Sequence, residues 1–216
     1  MSVFAYLQSA SQSGNTALAF PSSNVAGNMI VVATSNVSVT AVNDTQGNTY
    51  TNTASVANSN RQIQMWIAQN IKAGANSVTA TGLSAGGANS SIAIIEYTAP
   101  SSFQFCYSLS MQSLSFASQS SNETLAVIAT YDYHSSHSWT GTNLTVRETT
   151  SEGGGQTLGI GDFYSATSTI TTSSAINGCS DSSGCPTTVL LNFTMGGGGS
   201  STSDIQISVS DPLVVN

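Results

Sequence analysis

Charge is what this sequence has least of. Of 216 residues only 3 are Lys or Arg and 10 are Asp or Glu, so 6% are charged and the formal net charge is -7. An ordinary globular domain carries about 25% charged residues. Three cations cannot neutralise a phosphate backbone, which excludes nucleic acid as a partner. Long apolar runs are also missing. The longest, residues 29–33, falls far short of the roughly 18 residues a membrane-crossing helix needs, so no membrane insertion is expected. The N-terminus Met1-Ser2-Val3-Phe4-Ala5-Tyr6 has neither a basic stretch nor a long apolar one, so no signal peptide is visible. Either a leader has been removed, or the protein reaches its place without one, as a virion component would.

Catalytic signatures are absent too. The chain has no G-x-S-x-G elbow, no H-E-x-x-H, no P-loop and no G-x-G-x-x-G opening a helix, and each of these would be needed for a specific chemistry. No enzyme, cofactor or metal is expected. The two histidines stand together in Asp132-Tyr133-His134-Ser135-Ser136-His137, but no third strong ligand follows at a telling spacing. Glu148 and Glu152 flank a Gly-rich turn and read as solvated carboxylates, not as a glycosidase pair held across a cleft. Asn43, Asp44 and Asn48 offer oxygens for calcium, yet as a turn they need no ion. Lys72, the sole lysine, would matter only if it condensed with an Asn or Asp into an isopeptide crosslink.

What fills the chain is neutral polarity. Ser, Thr, Asn and Gln number 39, 26, 17 and 11, while 39% of residues are hydrophobic, enough for a core and too many for a disordered tract. Hydrogen-bonding side chains without charge solubilise a surface independently of salt. Acid unfolding is driven by protonating paired carboxylates and by charge repulsion, so few ionisable groups imply a fold nearly indifferent to pH. These features point to an extracellular location or cell surface, with a virion as the alternative.

Strand signals dominate. Residues 61–67 alternate, with Ile63, Met65 and Ile67 on one face and Gln62, Gln64 and Trp66 on the other, and residues 103–111 alternate likewise. The apolar runs 29–33, 92–95, 125–129 and 189–191 read as strands buried on both faces. Turn clusters such as Asn43-Asp44-Thr45-Gln46-Gly47-Asn48 separate them. The chain also repeats: residues 28–34 parallel 123–130 and residues 91–98 parallel 187–194, with Phe20 and Phe116, Thr34 and Thr130, and Thr98 and Thr194 each at an offset of 96. The expectation is an all-β protein of two pseudo-repeated jelly-roll or immunoglobulin-like β-sandwich units, residues 1–99 and 100–195. One large two-sheet sandwich built from both halves is the alternative.

Residues 196–216 fit neither unit. Gly196-Gly197-Gly198-Gly199 is a flexible tether, and beyond it Ile205, Ile207 and Val209 alternate with Gln206, Ser208 and Ser210. This segment either folds back onto its own sheet or is a donor strand completing a neighbour's sheet. A head-to-tail contact of that kind does not close and propagates into a filament. The strand at residues 3–7 is a second candidate donor.

Cys179 and Cys185 enclose a polar loop that a disulfide would pin in an oxidising compartment; otherwise they are two free thiols. Cys106 is left over as a small inert side chain or an intermolecular contact. Sequons stand at Asn36, Asn43, Asn89, Asn122, Asn143 and Asn192, no more than chance provides, and exposed copies could carry glycans in a secreted protein. Trp66, Trp139 and Tyr133 are the aromatics that could form a sugar platform.

The pattern Ala26-Gly27-Asn28-Met29-Ile30-Val31-Val32-Ala33, then Val39-Thr40-Ala41-Val42-Asn43-Asp44-Thr45-Gln46-Gly47-Asn48-Thr49-Tyr50, then Ile94-Ile95-Glu96-Tyr97 resembles secreted archaeal and bacterial β-sandwich surface proteins. Composition and the extra terminal strand are similar to archaeal thread filaments built by donor-strand complementation. The resemblance implies a structural subunit of an extracellular filament or surface assembly whose partner is a head-to-tail copy of itself. It carries over no catalytic residues, and the missing leader and the Cys179/Cys185 loop depart from it. A carbohydrate-binding module or adhesin, and a virion surface protein, are the alternatives.

Overall fold

The alternation at residues 61–67 becomes a strand with two buried faces, and that sets the architecture. In the computed structural model the described residues are 4–35, 38–58, 61–83, 90–99, 103–110, 115–116, 124–132, 137–141, 144–151, 157–164, 170–174, 187–195 and 207–208. Among them there is no helix.

The first half supplies β1 (Ala5–Ser13), β2 (Ala17–Ala19), β3 (Met29–Ser35), β4 (Ala41–Asp44), β5 (Thr51–Asn58), β6 (Arg61–Ala68), β7 (Ser77–Thr81) and β8 (Ser91–Thr98). They form an antiparallel five-stranded sheet in the order β1-β8-β3-β6-β5 and a three-stranded sheet, β2-β7-β4. The second half supplies β9 (Phe103–Ser110), β10 (Ser115–Phe116), β11 (Thr124–Asp132), β12 (His137–Gly141), β13 (Thr145–Ser151), β14 (Thr157–Tyr164), β15 (Ile170–Ser174) and β16 (Thr187–Met195). Read from its β9 edge, their five-stranded sheet runs β9-β16-β11-β14-β13, while β12 pairs with β15. Each strand of the second large sheet thus stands eight places after its counterpart in the first. A final element, β17 (Ile207–Ser208), pairs with β10.

The correspondence extends to individual pairs. Met29 lies opposite Tyr97 in the first sheet and Leu125 opposite Phe193 in the second, each residue 96 positions on. On the other side of the central strand the counterparts slip. Val31 faces Ile67 while Val127 faces Asp162, so Asp162 takes the place of Ile67. The edge strands also correspond: β5 bulges between Asn52 and Ala54, β13 between Val146 and Glu148, leaving Thr53 and Arg147 as the extra residues. A bulge re-aims a side chain and blunts an edge.

The inner faces of the two large sheets bury one another. Met29, Val31, Ile63, Met65, Ile67, Ile95 and Tyr97 from the first half share one apolar cluster with Leu125, Val127, Leu158, Ile160, Val189, Leu191 and Phe193 from the second. The opposite face of the first sheet is covered by the three-stranded sheet: Ile30, Val32, Trp66, Ile92 and Ile94 pack with Leu18, Val42, Val78 and Ala80. Burial on both faces explains why β3 and β8 read as continuous apolar runs; every residue of β3 is buried. Neutral amides secure the segments crossing this outer face. Gln64 accepts from Val39 N at 2.6 Å and donates to its carbonyl at 3.2 Å. Gln8 does the same for Ser22, at 2.9 and 3.2 Å. Each amide supplies the donor and acceptor a strand neighbour would.

Candidate functional site

The most concentrated chemistry lies where the halves meet, between β1 and β8 on one side and β13 and β14 on the other. Asp162 occupies an inward position of β14 and is fully buried. Arg147, swung inward by its bulge, donates from Nε to Oδ2 at 2.8 Å and from Nη2 to Oδ1 at 2.9 Å, a two-pronged ion pair. Tyr97 of the first half donates its hydroxyl to Oδ2 at 2.8 Å. The guanidinium lies 3.9 Å from the ring centroid of Tyr6, a stacking that favours the cation, and Tyr6 meets Tyr97 edge-on at 6.4 Å. Just outside, Glu148 accepts from Ser9 Oγ at 2.5 Å and Ser11 Oγ at 3.0 Å. Glu148 is therefore not the solvated carboxylate expected from its Gly-rich neighbourhood: the register of β13 sets it against β1.

Burial, and then the Asp162 charge and hydrogen bond, push the Tyr97 hydroxyl well above the usual tyrosine range. Burial and the same charge raise Tyr164 as well. Burial opposes the Arg147 charge, but the bonds to Asp162 outweigh it and hold the guanidinium firmly protonated. Both Asp162 oxygens are occupied and the carboxylate is sealed from solvent, so the group presents no open face to a substrate. The ion pair itself lies within the second half, and what reaches it from the first half is the Tyr97 hydroxyl and the Tyr6 ring; a buried charge stripped of such partners is costly.

Two other carboxylates organise loops. Glu96, fully buried, accepts from Gln8 Nε2 at 2.6 Å, Asn24 Nδ2 at 2.7 Å, Asn28 Nδ2 at 2.7 Å and Val25 N at 2.9 Å, tying residues 22–28 to β8. Asp44 accepts from Gln46 N, Asn48 N, Asn48 Nδ2, Asn76 Nδ2 and Tyr50 OH at 2.7 to 3.1 Å. Its burial would raise its pKa, but these donors, led by the Asn48 backbone N–H, hold it below the usual carboxylate range. Donors of the turn, joined by Tyr50 and by Asn76 from a neighbouring loop, thus engage both Asp44 oxygens. Gly47, at φ 67°, closes that turn in the left-handed region open to glycine.

Several expected sites resolve differently. Trp66 is 8% exposed and packs into the outer-face cluster, so it is core and not part of a sugar platform. Tyr133 lies outside the described residues, and of Trp139 only its strand position opposite Thr172 is described. Lys72 is exposed and its Nζ reaches the Gly47 carbonyl at 3.2 Å. That geometry offers no buried amine for an isopeptide. Asn43 is exposed on β4; Asn192 sits in β16 between Ala126 and Cys106; Asn36, Asn89, Asn122 and Asn143 lie outside the described residues. So do Cys179, Cys185, His134 and Glu152. In the terminal segment Ile207 pairs with Phe116 and Ser208 with Ser115 of the same chain, while Ile205 and Val209 lie outside. Among the described residues no cluster of three potential metal ligands exists, and no helix is long and apolar enough to cross a membrane.

No family model matches the chain, and neither the curated proteins nor the solved structures offer a match to it.

The Asp162 cluster was not foreseen from sequence. A signal existed: aligning the halves through strand pairs places a carboxylate where the first half has Ile67. The one-residue slip of β14 against the 96-residue offset hides it from a fixed-offset reading.

Proposed function

We propose that this protein is a structural subunit of an extracellular filament or surface assembly, polymerising by β-strand complementation between copies. In this reading the chain is a duplicated sandwich, residues 1–99 and 100–195, followed by a tether and a donor strand centred on Ile205, Ile207 and Val209. Its task is mechanical: sheet continuity beneath a neutral polar surface that salt and pH barely alter.

The observation that carries the reading is β17. A short segment at the end of a Gly-rich tether adds to a strand edge by backbone pairing. That mode of recognition serves a second copy as well as its own chain. The sealed Asp162 cluster supports a holding role for the buried carboxylates, since its oxygens are spent on Arg147 and on the Tyr97 hydroxyl of the other half. Deleting residues 196–216 should leave folded protein by circular dichroism that forms no polymers by negative-stain microscopy. Polymers of unchanged length and number would refute the proposal.

A further inference from the structure

We infer that the acceptor for the donated strand is β10 in a second copy of this chain, at the same Ser115–Phe116 edge that Ile207 and Ser208 pair with here. The inference rests on the polymerisation reading above and specifies where the contact forms.

Two observations bear on it. In the described structure β10 is bonded to β17 alone, whereas β2, its counterpart after β1 in the first half, is bonded to β7. Among the described residues β10 takes its backbone partner from the tail and not from β15, the counterpart of β7, although β15 lies beside it. The β2 edge, by contrast, is blunted. Pro21 follows it, Asn15 Oδ1 caps the Ala17 N–H at 3.3 Å, and Gln8 occupies both backbone groups of Ser22. Proline and capped donors discourage strand addition.

Exchange needs no new contact. The eleven residues from 196 to 206 span at most roughly 40 Å when extended, which bounds how far away the same edge of an adjacent copy can lie. Within one chain the tether keeps the tail at an effective concentration in the millimolar range. Exchange therefore prevails where copies are crowded or where the tether is too short to close, as in other swaps of identical elements.

The test uses the full chain with p-benzoylphenylalanine at position 207, assembled from an equal mixture of 15N-labelled and unlabelled copies and then irradiated. Peptides joining position 207 to Ser115–Phe116 are expected, about half of them of mixed isotope, as random partnering between copies requires. A second variant lacking Gly196–Gly199 is expected to raise polymer yield several-fold. Crosslinks to that edge of a single isotope only would overturn the inference. Polymers crosslinked to a different segment would overturn the β10 assignment while leaving polymerisation standing. Absence of polymers together with single-isotope crosslinks would overturn both.

Discussion

Replacing Arg147 with Thr removes the one cation that accompanies a fully buried carboxylate in the structure described. Breaking a buried pair from one side costs about 3–5 kcal/mol, because the remaining charge is left in an apolar layer. Arg147 is 19% exposed and Asp162 keeps the Tyr97 hydroxyl, which places the loss near the lower end, about 3 kcal/mol. For a chain of this size that is a fall in Tm of about 9 °C. The decisive variant gives each of the three positions the residue that its counterpart in the other half carries. Thr53 corresponds to Arg147, Ile67 to Asp162 and, 96 residues away, Phe193 to Tyr97. The triple variant Tyr97→Phe, Arg147→Thr, Asp162→Ile removes all three polar partners together. Asp162→Ile removes the buried charge in favour of the apolar residue the first half carries there, so no charge is left unpaired, and the triple variant should be more stable than the single one by at least about 1 kcal/mol. Urea unfolding followed by far-ultraviolet circular dichroism and tryptophan fluorescence measures both. If the single change costs less than about 1 kcal/mol, or the triple variant is as weak as the single one, the assignment of Asp162 as a buried charge held by Arg147 is wrong.

Glu96→Ala strips the acceptor from four N–H donors inside the fold and should cost on the order of 3 kcal/mol; it should also open residues 22–28 to proteolysis, and unchanged cleavage there would count against the clamp. Stability should hold across a broad pH plateau with two edges. Asp44 has a lowered folded pKa, so its contribution is present above the unfolded value near 3.9 and is lost as pH falls through the folded one. Tyr50, Tyr97 and Tyr164 have raised folded pKa values, burial being the first cause in each. Their contribution is intact below an unfolded value near 10 and is lost as pH rises beyond it, because the unfolded chain ionises first. Denaturation midpoints measured from pH 2 to pH 12 should therefore fall more steeply on the alkaline side, and Tyr97→Phe should soften that edge.

Much of the fold was legible because period-2 alternation and doubly buried runs are local properties. Residues 61–67 fixed which side chains share a face, and the structure places Ile63, Met65 and Ile67 in one core and Trp66 in another. The Asn43–Asn48 turn was legible for the same reason: Asp44 finds its donors within a few residues and in a neighbouring loop. Glu148 was misread because nothing near it in sequence supplies a partner. Ser9 and Ser11, 139 and 137 residues away, do so only once the sheets stack.

By itself, then, the sequence determined the strand-only class, the neutral polar surface, the turn chemistry and the 96-residue correspondence of β3 with β11 and β8 with β16. Each follows from residue type and spacing. Tertiary structure alone decided that the two large sheets bury their inner faces against one another, that Trp66 is core, and that a bulge aims Arg147 at Asp162. Those outcomes depend on which faces meet and on one-residue slips in register. Such slips exchange inward for outward positions without altering the alternation that a sequence displays.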